Sequence, residues 1–500
     1  MVKKLLFSIL FISHSFLGIS QINTEGYYKD VFMDGGVSLY SKTSMTAVDS
    51  LHLTMEYLAT ENQSTQNNKM GGTSNDMNGA LLYPDGAPRF RLIYTNGGSA
   101  TAHGTSLGGG GRDNIRAFYH HGGSYTGSCA GAFLTSINYQ SIGINNSYYH
   151  IWPGRTHTTG VLSTYTGQFI PLSSPLLQYY SFGGDHYIAN VFHDGGCYAR
   201  EDIDFPPQTE ILLRFDYSGY AMHNKVSCWA YKKNDESGRL VVIGSHPEKA
   251  ASGERLNLMK AIMQYALAGQ GRPYVKASLE NGIALSMNKS TNDNDPAHTK
   301  IGDRQYHHFK VSFPNAVSNF AIKVDAQIGY HLNIYIKKDT FAFKSNALYA
   351  DTTYASSKIF NVGNLAAGTY YISVECDTTV TTIVQNWGYA YTGNLAVLNG
   401  ISYSIRLDWL LSMQNNTFNN KIKIYPNPSI DIIHIEIPDI GNKAVNIMVI
   451  NTLGEVILNR NTKTAGSYSY LLNVSDLPKG IYFVSINIGN NKYLKKIIVQ

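Results

Sequence analysis

A run of small residues around one cysteine, Gly127-Ser128-Cys129-Ala130-Gly131, constrains this chain more than any other feature. G-x-C-x-G is the pattern of a sharp strand-to-helix elbow. Strand and helix cross closely there, so a bulky Cβ at 127, 130 or 131 would meet crossing backbone. Such a turn exposes the sulfur and leaves a helix N-terminus beneath it, a position that favours thiolate over thiol. The flanking chain alternates in the same spirit. Residues 30–36 read as a strand ending in a Gly turn, 47–58 as a helix, 90–94 as a strand, 114–121 as a helix, 239–244 as a strand and 253–267 as an amphipathic helix. Alternation of this kind predicts a mainly parallel sheet covered on both faces, with ligands bound at the carboxyl ends of its strands.

A second motif, Ser245-His246-Pro247-Glu248, follows the strand at 239–244. The residue before a proline is pushed towards extended geometry. In an extended segment positions i and i+2 point the same way, which turns His246 and Glu248 towards one pocket. Cys129, His246 and Glu248 together have the makings of a nucleophilic triad.

These residues resemble the class I glutamine amidotransferase-like superfamily, whose elbow is G-x-C-x-G and whose late motif is H-P-E. The biotin-protein ligase N-terminal domain family is closer, since its GG-x-x-G-x-CAGA stretch reads here Gly122-Gly123-Ser124-Tyr125-Thr126-Gly127-Ser128-Cys129-Ala130-Gly131-Ala132. The resemblance implies an α/β flavodoxin-like, amidotransferase-type domain at 21–271. It makes Cys129 the nucleophile, His246 the base and Glu248 its orienter. It asks for oxyanion-hole amides from Ala130 and from an upstream glycine loop, whose nearest counterpart is Gly108-Gly109-Gly110-Gly111-Arg112-Asp113, with Gly110 and Gly111 as donors. The family's loop carries a proline that this stretch lacks. The reaction class is acyl transfer: hydrolysis of an amide or peptide-type bond in an unknown small-molecule or peptide substrate, with no cofactor. The alternative is a catalytically silent cell-surface binding protein built on the same cleft. Glutamine amidotransfer needs a synthetase partner and biotin ligation a ligase domain, and neither follows.

The last eighty residues carry a second set of landmarks. Ile424-Tyr425-Pro426-Asn427-Pro428 opens them, Val449-Ile450-Asn451-Thr452-Leu453-Gly454-Glu455 stands in the middle, then Leu477-Pro478-Lys479-Gly480-Ile481-Tyr482-Phe483 and the terminal Lys495-Lys496-Ile497-Ile498-Val499-Gln500. They resemble the type A C-terminal sorting domain of the type IX secretion system of Bacteroidetes, which implies that the export machinery reads residues 421–500. Period-two runs such as Ile433, Ile435 and Ile437, or Ile481, Phe483 and Ser485, predict a small β-sandwich.

Between these parts, residues 272–412 alternate at Phe309, Val311 and Phe313, at Phe320, Ile322 and Val324, at Leu332, Ile334 and Ile336, and at Ile372, Val374 and Cys376. With the Ala367-Gly368-Thr369-Tyr370-Tyr371 strand they resemble a bacterial pre-peptidase C-terminal β-sandwich. Tyr330-His331-Leu332-Asn333-Ile334-Tyr335 departs from that family's acidic stretch, so calcium binding is not expected there. His307 and His308 are strand neighbours on opposite faces and cannot share a metal, and no metal site is expected elsewhere. His120-His121 is expected to pack or bond locally. A polar linker is read at 413–420. The fold class is thus multidomain: one α/β domain followed by two β-sandwiches.

Composition sets the compartment. Lys3 and Lys4 precede a short apolar run that ends at Gly18-Ile19-Ser20, which reads as a signal peptide at 1–20. The run is too short for a stable membrane span. Charged residues make up 15% of the chain and the net charge is +5, without a basic block, so nucleic acid is not an expected partner. Of four cysteines, Cys197 and Cys228 share a domain and are candidates for a disulfide, whose connectivity the sequence leaves open.

Overall fold

A parallel sheet forms where the sequence alternates, and it is longer and more mixed than the alternation suggests. The computed structural model describes residues 25–36, 38–40, 44–59, 68–140, 143–385, 388–411, 421–489 and 491–500. The segments read as signal peptide (1–20) and linker (413–420) lie outside them. The first elements are β1 (Lys29–Gly35), α1 (Thr46–Ser50), β2 (Met55–Ala59), β3 (Phe90–Thr95), α2 (Ala100–Ser106), α3 (Gly108–His120), β4 (Ser124–Ser128) and α4 (Ala130–Thr135). Then come β5 (Thr156–Thr158), β6 (Thr164–Phe169), β7 (Tyr187–His193), β8 (Cys197–Ala199), β9 (Glu210–Asp216), β10 (Val226–Lys232), β11 (Arg239–Ile243) and α5 (Gly253–Leu267). Strands β2-β1-β3-β4-β11 run parallel in that order, and β10-β9-β6-β7 continue the sheet antiparallel. The sheet is therefore mixed rather than mainly parallel.

Side chains alternate between two cores. Phe32, Ile93, Tyr125 and Val242 pack with Leu107, Ile115 and Phe118 on one side, while Val31, Met33, Leu92 and Val241 pack with Leu258 and Ile262 of α5 on the other. Both faces are apolar because both are covered, as expected where helices flank parallel strands. The same alternation decides the cysteines. Cys197 packs into the first core and Cys228 into the second, so the sheet stands between them, and both are free thiols. The helix read at 47–58 resolves into α1 and β2: Leu51 and His52 turn the chain, and Met55–Ala59 joins the sheet beside β1.

The β-sandwich that follows has one sheet of Val275–Ser278, Tyr306–Phe313, Gly368–Glu375, Asn333–Lys338 and Tyr349–Asp351, and a second of Ala284–Met287, Tyr403–Leu411, Val317–Ala326 and Ser357–Leu365. The period-two residues Phe309, Val311, Phe313, Phe320, Ile322 and Val324 all point inward. His307 and His308 do diverge: His307 meets the Tyr403 hydroxyl at 2.9 Å and His308 that of Ser373 at 2.7 Å.

The 271/272 boundary is a seam within one body. The chain up to Leu410 is one compact unit and Leu411–Gln500 a second. Sandwich residues such as Ile301 and Leu398 share a core with Leu81 and Phe118. A hairpin of Thr381–Gln385 and Gly388–Thr392 leaves the sandwich and pairs with β2 at Leu58 and Gly388. Buried Arg89 donates to Asp303 (3.2 Å) and to the Tyr391 hydroxyl (3.3 Å), and Asp85 pairs with Lys276 and accepts from Gln305.

The second unit is a sandwich of two sheets, one of Lys423–Tyr425, Ile432–Ile437 and Tyr468–Asn473, the other of Val456–Ala465, Asn442–Asn451, Gly480–Ile488 and Asn491–Val499. Ile433, Ile435 and Ile437 are its inward row, as their spacing predicts. On Gly480–Ile488 the inward row is Tyr482, Val484, Ile486 and Ile488, one residue out of step from the row read in the sequence. Ile481 instead faces solvent.

Candidate active site

The elbow is built by close approach. Strand β4 ends at Ser128 and α4 begins at Ala130, with Cys129 between them at φ 50°, ψ −104°. An L-residue holds such a backbone only under strain, of order 1–3 kcal/mol. Thr95, at the end of β3, explains the glycines. A methyl at Gly131 would overlap the Thr95 carbonyl, and one at Gly127 would lie 3.0 Å from it and 2.9 Å from the Gly131 Cα. The Cys129 amide donates to the Ile243 carbonyl (3.0 Å), which ties the elbow to the end of β11.

That strand delivers the imidazole. His246 follows β11 at φ −118°, ψ 64°, and Pro247–Lys249 form a single 3-10 turn. Glu248 therefore reaches His246 around a turn rather than along an extended strand. Its Oε1 lies 2.7 Å from Nδ1. The other ring nitrogen is left for Cys129, and the two side chains are hydrogen-bonded. Burial works against a charge on His246, but the Cys129 and Glu248 side chains outweigh it and raise its pKa to about 10. The imidazole is therefore a cation across the neutral range. All three groups are nearly enclosed: Cys129 and His246 are each 5% exposed and the Glu248 side chain 6%.

The two other predicted oxyanion positions fall elsewhere. Gly110 and Gly111 lie inside α3, where their nearest neighbours are Gly71, Met70 and Leu107. Their amides belong to a helix packed on the 68–71 segment, so they do not line the thiol. The glycine that does is Gly97. A methyl there would overlap Cε1 of His246 and lie 3.3 Å from the Cys129 Cβ. Gly97 sits in Asn96-Gly97-Gly98, directly after β3, and its amide is held by the Asn96 side chain at 2.7 Å. Ala130 is the first residue of α4, where an amide has no acceptor within the helix.

Residues that the motifs do not announce support this core. The Cys129 thiol donates to the Asp194 carbonyl at 3.6 Å. His193 lies under His246, bonded through Nε2 to Thr159 (2.7 Å) and through Nδ1 to Ser245 (3.1 Å). Burial, then the charge of His246, lowers its pKa to about 4, so it stays neutral beside a cationic neighbour. Behind the elbow, Asp34 at the end of β1 meets His103 at 2.8 Å and accepts from Thr95 at 3.3 Å, bracing the strand end on which Gly131 rests. Asp34 closes the first predicted strand and so carried a positional signal. His193 and Asp194 lie among antiparallel strands with no motif of their own. His120 and His121 take no part; His121 binds the Gly86 carbonyl at 2.8 Å. Among the described residues no cluster of His, Cys, Asp or Glu has the makings of a metal site.

Comparison with known proteins speaks to the C-terminal part of the chain. Residues 423–500 match the secretion system C-terminal sorting domain family. The chain is thereby addressed to the type IX export machinery and to the cell surface or extracellular space. No helix among the described residues is long and apolar enough to cross a membrane. No curated protein matches the chain. Among solved structures, the pre-peptidase C-terminal domain of a Bacillus anthracis collagenase is 16% identical over 28% of this chain and 99% of its own, with a TM-score of 0.17. A glycosyl hydrolase family 2 member from Bacteroides cellulosilyticus is 9% identical over 39% of this chain and 26% of its own, TM-score 0.15. A Bifidobacterium dentium beta-glucuronidase is 12% identical over 39% of each, TM-score 0.15. The chain thus spans well under half the length of these two hydrolases.

Proposed function

We propose that residues 21–271 are an amidotransferase-type α/β domain and that the exported chain is a cysteine-dependent hydrolase of amide or peptide-type bonds. One observation carries the reading: a strained Cys129 is hydrogen-bonded to a His246 that Glu248 holds from behind. The nucleophile is the thiolate form of Cys129, paired with the His246 imidazolium. The thiolate adds to the substrate carbonyl, and the Ala130 amide faces the oxyanion. Collapse breaks the C–N bond as the imidazolium gives its proton to the leaving amine, leaving a thioester on Cys129. Water then attacks the thioester with neutral His246 taking a proton, and the acid and the resting pair are released. Glu248 orients the ring and stabilises its charge without itself taking a proton.

The near burial of Cys129 favours a second reading, a binding module whose thiol no longer meets substrate. A thiol-directed probe with peptide mapping, run beside amine release from a panel of N-acyl amides and peptides, separates the two. The hydrolase reading expects labelling at Cys129 and turnover that Cys129→Ala abolishes. A protein that binds panel members without labelling or turnover is a silent module.

A further inference from the structure

Beside His246 lies a cavity of about 200 Å³, walled by Tyr165, Phe192, His246, Pro247, Lys249 and Arg255. Its aromatic wall is Tyr165 and Phe192, whose rings contact each other at 5.6 Å between centroids. Phe192 also faces the His246 ring at 5.8 Å. Besides the His246 imidazole, it has two further charged groups, both cations. Lys249 Nζ is held 3.8 Å from the Phe192 ring centroid, and the Arg255 guanidinium donates to the Asn190 carbonyl at 3.3 Å. Neither forms an ion pair with an acidic side chain of the described residues. The acids nearest in sequence are turned elsewhere: Glu248 to His246, Glu254 towards Gly183. Arg255 stands in the first turn of α5, where the helix dipole adds to the positive field.

We infer that this cavity is a substrate subsite that takes a single aromatic or apolar group bearing a carboxylate, and that the molecule therefore acts on acidic amides or on peptides ending in a free carboxylate. The inference rests on the hydrolase reading for its meaning, since the cavity shares the His246 ring with the proposed triad. Two unpaired cations beside an apolar wall match one anionic group, because a charge-assisted hydrogen bond discriminates an acid from its neutral amide. The aromatic faces bind the apolar part without regard to charge. The volume suits one residue, so the remainder of a longer substrate lies outside it.

The test uses the full chain carrying Cys129→Ala, so that binding is read without turnover, with Cys129→Ser as a second background. Hippurate and hippuramide are the probes: they share an aromatic acyl group and differ in the carboxylate. Titration calorimetry at neutral pH is expected to show hippurate bound about tenfold or more tightly than hippuramide, with about tenfold lost for each of Lys249→Gln and Arg255→Gln. Raised salt should erode the preference. Equal affinity for acid and amide overturns the subsite. So does a preference that survives the double substitution, or no binding of either probe at millimolar concentration. If hippurate binds as expected while wild-type protein neither labels at Cys129 nor releases amine from any panel member, the subsite stands and the hydrolase reading falls.

Discussion

Arg89, the residue before β3, and Asp303, in the β-sandwich, are both buried and face each other at 3.2 Å. Removing Asp303 leaves buried Arg89 with Asp76, 3.9 Å away, as its remaining acidic partner in a low-dielectric seam. Asp303→Ala should destabilise the unit of residues up to 410 by about 3–5 kcal/mol, read as a shift in the denaturant midpoint. A fragment ending at residue 271 would expose Arg89, Asp85 and the shared core together. It should be insoluble or unfolded by circular dichroism. A soluble, cooperatively melting fragment would show that the seam is only a contact.

Cys129 should react with iodoacetamide at neutral pH well ahead of Cys197, Cys228 and Cys376, whose thiols burial holds above their ordinary pKa. His246→Ala should slow that labelling by roughly tenfold or more, because it removes the cation beside the sulfur. Glu248→Gln should slow it less. It should also lower the midpoint at which His246 titrates, which is about 10 in the intact site. Rates against pH for the three proteins, with peptide mapping, check this. Equal rates for wild type and His246→Ala would dissolve the pair.

Two glycine substitutions separate the segment at Gly97 from the glycines of α3. Gly97→Ala should displace the imidazole and reduce Cys129 labelling several-fold with the fold intact, since its methyl meets a side chain at the site. Gly110→Ala should leave labelling unchanged. It should raise stability by up to about 1 kcal/mol, because it replaces glycine inside a helix where the nearest atom is 3.7 Å away. Reversed outcomes would mean that Gly110, and not Gly97, bears on the imidazole.

His308 is buried in the sandwich, and burial followed by the charge of Lys276 lowers its pKa to about 3. Its folded value lies below its unfolded value of about 6.5, so the stability it supports is intact above that pH. That stability is lost as pH falls towards about 3, at up to about 1.4 kcal/mol per pH unit. His308→Asn should flatten the acid limb of a stability–pH curve. An unchanged limb would mean that other groups set it.

Deleting residues 421–500 should leave the chain in the periplasm, since those residues hold the sorting domain. Fractionation that finds the shortened chain outside the cell would show a second export signal.

The elbow was legible because its requirement is local: Gly127, Ala130 and Gly131 are small for a reason that any strand-to-helix crossing imposes. The partnership of His246 with Glu248 was legible in outcome but not in cause, because Pro247 opens a 3-10 turn where alternation had been assumed. The helix at 253–267 and the inward row Ile433, Ile435 and Ile437 announced themselves by period. Gly110 and Gly111 misled, since consecutive glycines read as loop, while tertiary packing on Met70 and Gly71 holds them in a helix. Gly97 gave no signal, because its need for smallness comes from an imidazole that arrives much later in the chain. The seam was illegible for the same reason: Arg89 and Asp303 meet only in three dimensions.

The backbone at Cys129 is one place where this molecule is frustrated. Glycine at φ 50°, ψ −104° would relax the elbow, while any other side chain keeps it under load. The fold therefore has a softer version of itself one substitution away, and that version lacks sulfur. On the hydrolase reading, stability and chemistry pull in opposite directions at a single Cα.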